Sequence, residues 1–171
     1  GPKSVEEVAA AILEAKAPLI HAGQGTLYAH ATAELVETVA AAIEDHGLEN
    51  FVMDPVMVAT SGHRLLDQDA EEALASRLLP LTSLVTPNLH EARILTGIEV
   101  EDLDGMRAAA RSLVDKGAGA ALVKGGHLTG GEVVDLLWDG TQETTWRRVR
   151  LETVHTHGTG CTLSAAATAC L

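Results

Sequence analysis

Four short apolar segments alternate with helical segments along this chain, and that alternation constrains the fold more than any other feature. The predicted strands lie at residues 18–22, 51–54, 83–86 and 120–124. Around them, apolar residues recur at helical spacing over 4–16, 30–46, 69–78, 89–96 and 102–116. Strands that are apolar throughout are typical of parallel sheets covered by helices on both faces. The pattern predicts an α/β fold, a three-layer αβα sandwich around a mainly parallel, Rossmann-like sheet.

The last part of the chain departs from this alternation. Residues 132–138 and 143–151 read as two strands on either side of Asp139-Gly140, a dipeptide typical of turns between antiparallel strands. A helix of small, apolar residues is predicted at 159–170. Neither a repeat nor a linker interrupts the sequence. We therefore expect a single α/β domain over residues 1–171 with a C-terminal antiparallel hairpin.

Charge and composition exclude several classes of partner. The formal net charge is −12, and an acidic surface repels nucleic-acid phosphates and anionic membranes. No apolar run approaches the ~18 residues that a membrane helix needs. The two cysteines, Cys161 and Cys170, show no metal-ligand spacing, which favours a reducing, cytoplasmic setting. A small anion or a nucleotide remains as a ligand, provided that backbone amides or a metal supply positive charge.

A glycine-rich segment, HGTGC at residues 157–161, precedes the last predicted helix. Gly158 and Gly160 permit a tight turn, after which the free N–H groups at the helix start can converge on an anion. This geometry suits the charge on a transferring phosphoryl group. Cys161 would lie at the positive end of the helix, which favours its thiolate. The alternative is an ordinary glycine-rich helix entry with a buried cysteine.

Two acidic motifs also follow predicted strands. Asn88 and Glu91 lie three residues apart on a first helical turn, so both point to one side. Together they would hold Mg²⁺ through water, or they would simply cap the helix. Asp54 ends another strand, where it would be either a carboxylate near a metal or the cap of the next turn.

Lys124, Gly125 and Gly126 form the remaining motif, again just past a strand. Lys124 would touch a phosphate while the glycines allow close approach of a ligand; the alternative is an ordinary strand-to-loop turn. All four motifs fall at the carboxyl ends of strands in one predicted sheet. Open α/β sheets bind their ligands at that edge, so the motifs together predict one phosphate-handling site.

The same motifs resemble a known family. In order, the runs are VMDPVMVATSGHRLL, LVTPNLHEARILTG, ALVKGGH, VVDLLWDG and THGTGCTLSAA. Together they closely resemble the C-terminal two-thirds of the bacterial hydroxymethylpyrimidine/phosphomethylpyrimidine kinases of thiamine biosynthesis, which are ribokinase-like. This resemblance covers residues 38–171. Most ribokinase-like sugar kinases have Asp as the base in a GxGD motif, whereas Cys161 in GTGC resembles the vitamin-kinase branch.

The resemblance implies a role for each motif in ATP- and Mg²⁺-dependent phosphoryl transfer. The segment from Gly158 through Thr159 and Gly160 to Cys161 would form an anion hole at the helix start. Cys161 would also occupy the position of the base that deprotonates the substrate hydroxyl. The resemblance further implies that Asn88 and Glu91 organise Mg²⁺ and the phosphates, and that Asp54 faces the same region. The nucleotide would lie near Lys124, Gly125 and Gly126.

The first 37 residues carry a different resemblance. The run AKAPLIHAGQG, followed by an alanine-rich ATAEL helix, is similar to the start of the central domain of thiamine-diphosphate-dependent enzymes. The kinases instead begin with a glycine-rich segment that binds the pyrimidine, and they continue past the GTGC helix. The sequence therefore predicts two parents joined within one helix near residues 36–40. Gly1-Pro2 is typical of a remnant left by a tag-cleaving protease.

These observations lead to the hypothesis of an engineered, recombined chimera, with residues 1–37 from one parent and 38–171 from a kinase. Catalysis needs both reactants held in register, so a missing pyrimidine site predicts no efficient activity. The alternatives are a phosphomethylpyrimidine kinase-like phosphotransferase and a protein that only binds nucleotide or phosphate. Exposed apolar surface at a sheet edge also predicts a possible homodimer.

Overall fold

The computed structural model describes residues 7, 10, 11, 14, 32–57, 65–126, 131–151, 153 and 158–171. Residues 7, 10, 11 and 14 are helical, in agreement with the helix predicted at 4–16. The predicted strand at 18–22 lies outside the described residues. The elements, in chain order, are α1 (Thr32–His46), β1 (Val52–Met53), α2 (Gln68–Ala73), β2 (Leu84–Val85), α3 (Leu89–Thr96), α4 (Leu103–Asp115), β3 (Ala121–Lys124), β4 (Glu132–Trp138), β5 (Glu143–Val149) and α5 (Thr159–Cys170).

The five described strands form one mixed sheet in the order β1-β2-β3-β4-β5. β1, β2 and β3 run parallel, while β4 and β5 join them in antiparallel pairs. The predicted α/β fold with a C-terminal antiparallel hairpin is thus confirmed. The hairpin is not a separate appendage, because β4 extends the sheet by pairing directly with β3.

Most predicted helices are found within a few residues of their expected bounds. The helix expected at 69–78 differs, because α2 continues as a π-helical turn at Leu74–Leu78 and a 3₁₀ turn at Leu79–Leu81. Pro80 fits in that last short turn, where its missing N–H costs no hydrogen bond. No helix among the described residues is both long and apolar enough to span a membrane.

An aliphatic core packs the helices against the sheet. Its largest fully buried apolar side chains are those of Met57, Leu79, Met106, Leu113 and Leu136. Full burial of each such side chain contributes about 1.5–3 kcal/mol relative to leaving it exposed. Helix α4 supplies two of them and covers β3 and β4. This packing fixes the strand ends at which the predicted motifs lie.

The hairpin turn is held by one side chain. The Asp139 carboxylate accepts hydrogen bonds from the amides of Thr141 and Gln142, at 2.8 and 2.7 Å, while Gly140 takes a φ of 89°. The hydrogen bond from the Gln142 amide is the main reason why the pKa of Asp139 lies below its ordinary value. The turn therefore has four residues rather than the two of the tightest hairpins.

Candidate functional site

All four predicted motifs meet at one edge of the sheet. Asp54 follows β1 directly, Asn88 lies just after β2, and Lys124 is the last residue of β3. A bridge between Asn88 and Lys124 aligns the ends of the second and third strands. Helix α5 begins beside them, with Gly160 against Lys124. The carboxyl ends of parallel strands share an edge, so the predicted convergence is realised.

A shielded ion pair forms the centre of this edge. The Lys124 ammonium lies 2.8 Å from an Asp54 carboxylate oxygen, and the two side chains are only 14% and 15% exposed. The Lys124 amide also donates to the carbonyl of Pro87, which holds the strand end in register. Asp54 thus balances the charge of Lys124.

The first turn of α5 lies against Lys124. A Cβ placed on Gly160 would come within 3.0 Å of the Lys124 ammonium nitrogen, so glycine permits this approach. Gly158 precedes the helix in the left-handed region, at a φ of 79°, and provides no side-chain cap. The first amides of an α-helix have no intrahelical partner, and the helix dipole adds positive charge there. A lysine side chain and the amides of a helix start therefore lie together at this edge of the sheet.

Cys161 behaves differently from the prediction. Partial burial of its thiol, followed by the hydrogen bond and negative charge of Asp54, raises the pKa of Cys161 above its ordinary value. The charge of Lys124 acts in the opposite direction but does not prevail. The helix start therefore does not yield a ready thiolate, because the thiol is partly buried and a carboxylate lies beside the sulfur. The residue as a whole is exposed rather than buried.

Asn88 and Glu91 cap helix α3. The Asn88 side chain accepts from the Glu91 amide at 3.0 Å, and the Glu91 carboxylate accepts from the Asn88 amide at 2.8 Å. Glu91 is 3% exposed, and this burial is the main reason why its pKa is raised. The charge of Asp54 adds to that rise, while the charge of Lys124 opposes it. The two residues thus form the helix cap that was one of the two alternatives, and the capping carboxylate is buried beside the Asp54–Lys124 ion pair.

The described residues contain no group of three or more His, Cys, Asp or Glu side chains that could hold a metal ion. Mg²⁺ often binds through only one or two carboxylates together with substrate phosphates and water. Asp54 and Glu91 provide two carboxylates close enough for their charges to interact. These two side chains are therefore compatible with an ion delivered by a nucleotide.

The two glycines after Lys124 have separate structural roles. Gly125 is required by the sheet, because a Cβ there would collide with the carbonyl oxygen of Val134 on β4. Its amide donates to the Asp135 carboxylate at 3.0 Å. Gly126 has open space around it, and its carbonyl accepts from the Arg150 guanidinium at 2.8 Å. The close approach expected at Gly125 is thus made by a neighbouring strand.

Two hydroxyl residues of the site were not predicted. Thr86 is fully buried, and its hydroxyl oxygen lies 2.7 Å from that of Ser164. Ser164 in turn donates to the carbonyl of Gly160 at 3.0 Å. The available signal was a lone hydroxyl at the end of an apolar strand, and another within an alanine-rich helix. Neither pattern identifies its partner, which is 78 residues away.

Comparison with known proteins assigns the family. The sequence profile described as phosphomethylpyrimidine kinase matches residues 5–171. This chain belongs to the phosphomethylpyrimidine kinase family. A hydroxymethylpyrimidine/phosphomethylpyrimidine kinase of Rhizobium meliloti is 50% identical over 135 residues, covering 76% of this chain and 50% of its own length. The Streptomyces coelicolor enzyme of the same description is 48% identical, covering 79% of this chain and 49% of its own length.

The fold of solved structures agrees with this assignment to the phosphomethylpyrimidine kinase family. The pyridoxal kinase of Staphylococcus aureus in complex with AMP-PCP superposes with a TM-score of 0.73 at 34% identity. The match covers 80% of this chain and 50% of that protein. The chain therefore spans about half the length of the relatives it matches.

The hypothesis of an inactive, recombined chimera is wrong. The phosphomethylpyrimidine kinase profile begins at residue 5 and so includes most of the segment read as foreign. The kinase relatives are also highly similar over most of the chain. The comparisons do not show the resemblance of residues 2–37 to thiamine-diphosphate-dependent enzymes. The alternative of a kinase fits these findings better.

Proposed function

We propose that this chain carries the phosphate-binding and catalytic part of an ATP-dependent kinase that phosphorylates a hydroxymethylpyrimidine or phosphomethylpyrimidine. The observation that carries the proposal is the approach of Lys124 to Gly160 at the start of α5. That arrangement places a lysine side chain and the backbone amides of a helix start side by side on an acidic protein. The relatives described as kinases of this class, and a pyridoxal kinase bound to AMP-PCP, support it.

Phosphate binding is assigned to Lys124 and to the turn formed by Gly158, Thr159, Gly160 and Cys161. Backbone amides at a helix start, together with a lysine, stabilise the oxygens of a transferring phosphoryl group. Asp54 holds the lysine beside the turn. Gly125 and Gly126 follow Lys124 and would border the nucleotide, Gly125 mainly by letting β4 close against the strand end.

Cys161 is proposed as the base. In the transfer, the substrate hydroxyl oxygen forms a bond to the γ-phosphorus, the bond to the β-phosphate oxygen breaks, and ADP leaves. The hydroxyl proton passes to the Cys161 thiolate. Because the pKa of Cys161 is raised, the thiolate is a minor form at neutral pH. The rate is therefore expected to increase as pH rises toward that pKa.

Mg²⁺ would be bound mainly by the nucleotide phosphates, with Asp54, Asn88 and Glu91 reaching it through water. When bound, the ion neutralises charge on the phosphate oxygens. Glu91 already accepts a hydrogen bond from the Asn88 amide at 2.8 Å, which holds the carboxylate in place. Its position beside Asp54 and Lys124 supports this assignment.

A coupled assay for ADP release with hydroxymethylpyrimidine and ATP–Mg²⁺ tests the proposal. We expect turnover in the wild type and a loss of at least about 100-fold in Cys161→Ala, as is typical for removal of a general base. Lys124→Gln is expected to raise KM for ATP, while Lys116→Gln, an exposed lysine at the end of α4, should not. Wild-type turnover no higher than that of Cys161→Ala would contradict the kinase proposal.

Nucleotide binding without transfer is the second candidate, because the same positive turn needs no pyrimidine pocket to bind a phosphate. Calorimetry with ATP–Mg²⁺ measures this binding directly. Gly160→Asp places a carboxylate against Lys124 and should abolish saturable heat, whereas Gly131→Asp points into open space and should not. Saturable heat without turnover would favour a nucleotide-binding protein over a kinase.

We also propose a single domain with a cytoplasmic location, supported by the free thiols of Cys161 and Cys170.

A homodimer through strand β5 is proposed because apolar side chains lie exposed at this edge of the sheet. Val149, the last residue of β5, is 77% exposed, and Leu151, just after it, is 81% exposed. Light scattering after size-exclusion chromatography should give twice the monomer mass. A monomer mass at high micromolar concentration would exclude the dimer.

A further inference from the structure

Helix α5 is attached to the sheet in an unusual way. Of its twelve residues, all of them described, only Ser164 is buried. Helix α4, with thirteen residues, buries four apolar side chains, which are two alanines, one leucine and one methionine. Apolar packing therefore does little to fix α5, although its first turn carries the anion-binding amides. Its one buried side chain, that of Ser164, is polar.

The polar contact is a pair of hydroxyls. Thr86 lies just past β2, and its Oγ1 is 2.7 Å from the Oγ of Ser164. Thr86 Oγ1 also lies 3.3 Å from an Asp54 carboxylate oxygen and 3.4 Å from the carbonyl of Met53. Ser164 Oγ lies 3.0 Å from the carbonyl of Gly160, one turn earlier in α5. The buried pair of hydroxyls thus contacts both Asp54 at the strand end and the first turn of α5.

Counting protons assigns the direction of these hydrogen bonds. Each hydroxyl has a single proton to donate. If Ser164 donates to the Gly160 carbonyl, Thr86 must donate to Ser164, and both bonds are at most 3.0 Å. The reverse order would require Thr86 to donate across 3.3 or 3.4 Å to Asp54 or Met53. The shorter hydrogen bonds therefore run from Thr86 to Ser164 and from Ser164 to the carbonyl of Gly160 in the first turn of α5.

We propose that Thr86 and Ser164 are positioning residues for phosphoryl transfer. Their hydroxyl pair fixes the first turn of α5, with Gly160 against Lys124 and Cys161 against Asp54. The catalytic part of this inference rests on the proposed kinase function. Misplacement of a reacting group by ~1 Å can cost on the order of 100-fold in rate. Loss of the pair is therefore expected to lower kcat more than it changes KM for ATP.

Ser164→Ala is the main test variant. Alanine favours an α-helix, and Thr86 keeps Asp54 and Met53 as acceptors, so the protein should remain folded. Thr168→Ala is the matched control, because its hydroxyl donates to the Ser164 carbonyl at 2.8 Å within the same helix but does not reach the sheet. Ser164→Thr keeps a hydroxyl at the position and should restore the wild-type properties.

The deciding measurement is hydrogen–deuterium exchange of the backbone amides of α5, followed by mass spectrometry. Ser164 is the only buried residue of this helix, so loss of the hydroxyl pair should loosen α5 and speed the exchange of its amides. Ser164→Ala should exchange roughly 5- to 10-fold faster than the wild type, the size expected for loss of one hydrogen bond, whereas Thr168→Ala and Ser164→Thr should not. Unchanged exchange in Ser164→Ala overturns the proposal, whatever its activity.

The coupled assay separates this inference from the kinase proposal. If the wild type turns over, Ser164→Ala should lose on the order of 10- to 100-fold in kcat with little change in KM for ATP. A fall in kcat shared equally by Thr168→Ala would overturn the specific role of the hydroxyl pair. If no variant turns over, the kinase proposal fails, while hydrogen exchange still decides whether Ser164 positions α5.

Discussion

Asp54→Asn removes the negative partner of Lys124 and leaves a shielded positive charge. At 2.8 Å, with an effective dielectric constant of ~20, the Coulomb attraction of this pair is about 6 kcal/mol. Desolvation of both ions offsets much of it, and removing one partner of a buried pair typically costs about 3–5 kcal/mol. Both side chains keep some contact with solvent, so we expect a loss of about 3 kcal/mol in the free energy of unfolding.

Thermal melting followed by far-ultraviolet circular dichroism measures this loss. For a domain of this size, about 3 kcal/mol corresponds to a fall in Tm of roughly 6–12 °C. Glu99→Gln is the matched control, since Glu99 pairs with Arg93 at 2.7 Å but the two side chains are 62% and 55% exposed. An exposed pair contributes about 0–1 kcal/mol, so this control should melt within a few degrees of the wild type.

The double variant Asp54→Asn with Lys124→Met removes both charges and should be more stable than Asp54→Asn alone. Equal losses in Asp54→Asn and Glu99→Gln would show that shielding of the ion pair does not matter. A double variant less stable than Asp54→Asn would likewise refute the reasoning, because the cost would then not come from an uncompensated lysine.

Three further changes test the local geometry by urea unfolding. Gly125→Ala should cost more than about 2 kcal/mol, because its Cβ would collide with the Val134 carbonyl and the strand must shift. Gly97→Ala should cost about 1 kcal/mol, because the residue ends α3 at a φ of 74°. The third change, Glu91→Gln, tests a pH dependence. Burial raises the pKa of Glu91 above 4.5, so its stabilising contribution is complete below that pH and is lost as pH rises through the raised value. The stability of the wild type relative to Glu91→Gln should therefore fall as pH rises above about 4.5.

For each of these variants, one result would contradict the physical reason given for it. Gly131→Ala, where the added Cβ meets open space, is the control for Gly125→Ala, and equal unfolding midpoints would disprove the collision. An unchanged midpoint for Gly97→Ala would show that the helix end relaxes without strain. A difference between wild type and Glu91→Gln that stays constant with pH would mean that Glu91 titrates alike in the folded and unfolded chain.

The sheet edge was predictable from sequence because parallel strands deliver their carboxyl ends to one side. Asp54, Asn88 and Lys124 could therefore be grouped without knowing any distance. The sign of the Cys161 pKa shift could not be predicted, because partial burial of the thiol and its contact with Asp54 both arise only in the folded chain. Both oppose the effect of a helix start on a thiol.

The hydroxyl pair and the role of Gly125 escaped prediction for the same reason. Thr86 and Ser164 each look ordinary in their own segment, and their contact depends on how α5 crosses the sheet edge. Gly125 was assigned to a ligand because glycines after strands often face one. The neighbour that needs the space is instead β4, whose pairing with β3 follows from the hairpin.

The antiparallel hairpin has a topological consequence for the site. β3 ends at the functional edge, β4 runs away from it, and β5 returns to it before α5 begins. Two reversals cancel, so the chain arrives at the same side of the sheet that it left. Insertion or removal of a whole hairpin at this point would preserve the polarity with which α5 is delivered, whereas a change of one strand would send the glycine-rich turn to the opposite side. Variation in this region of related proteins should therefore come in pairs of strands.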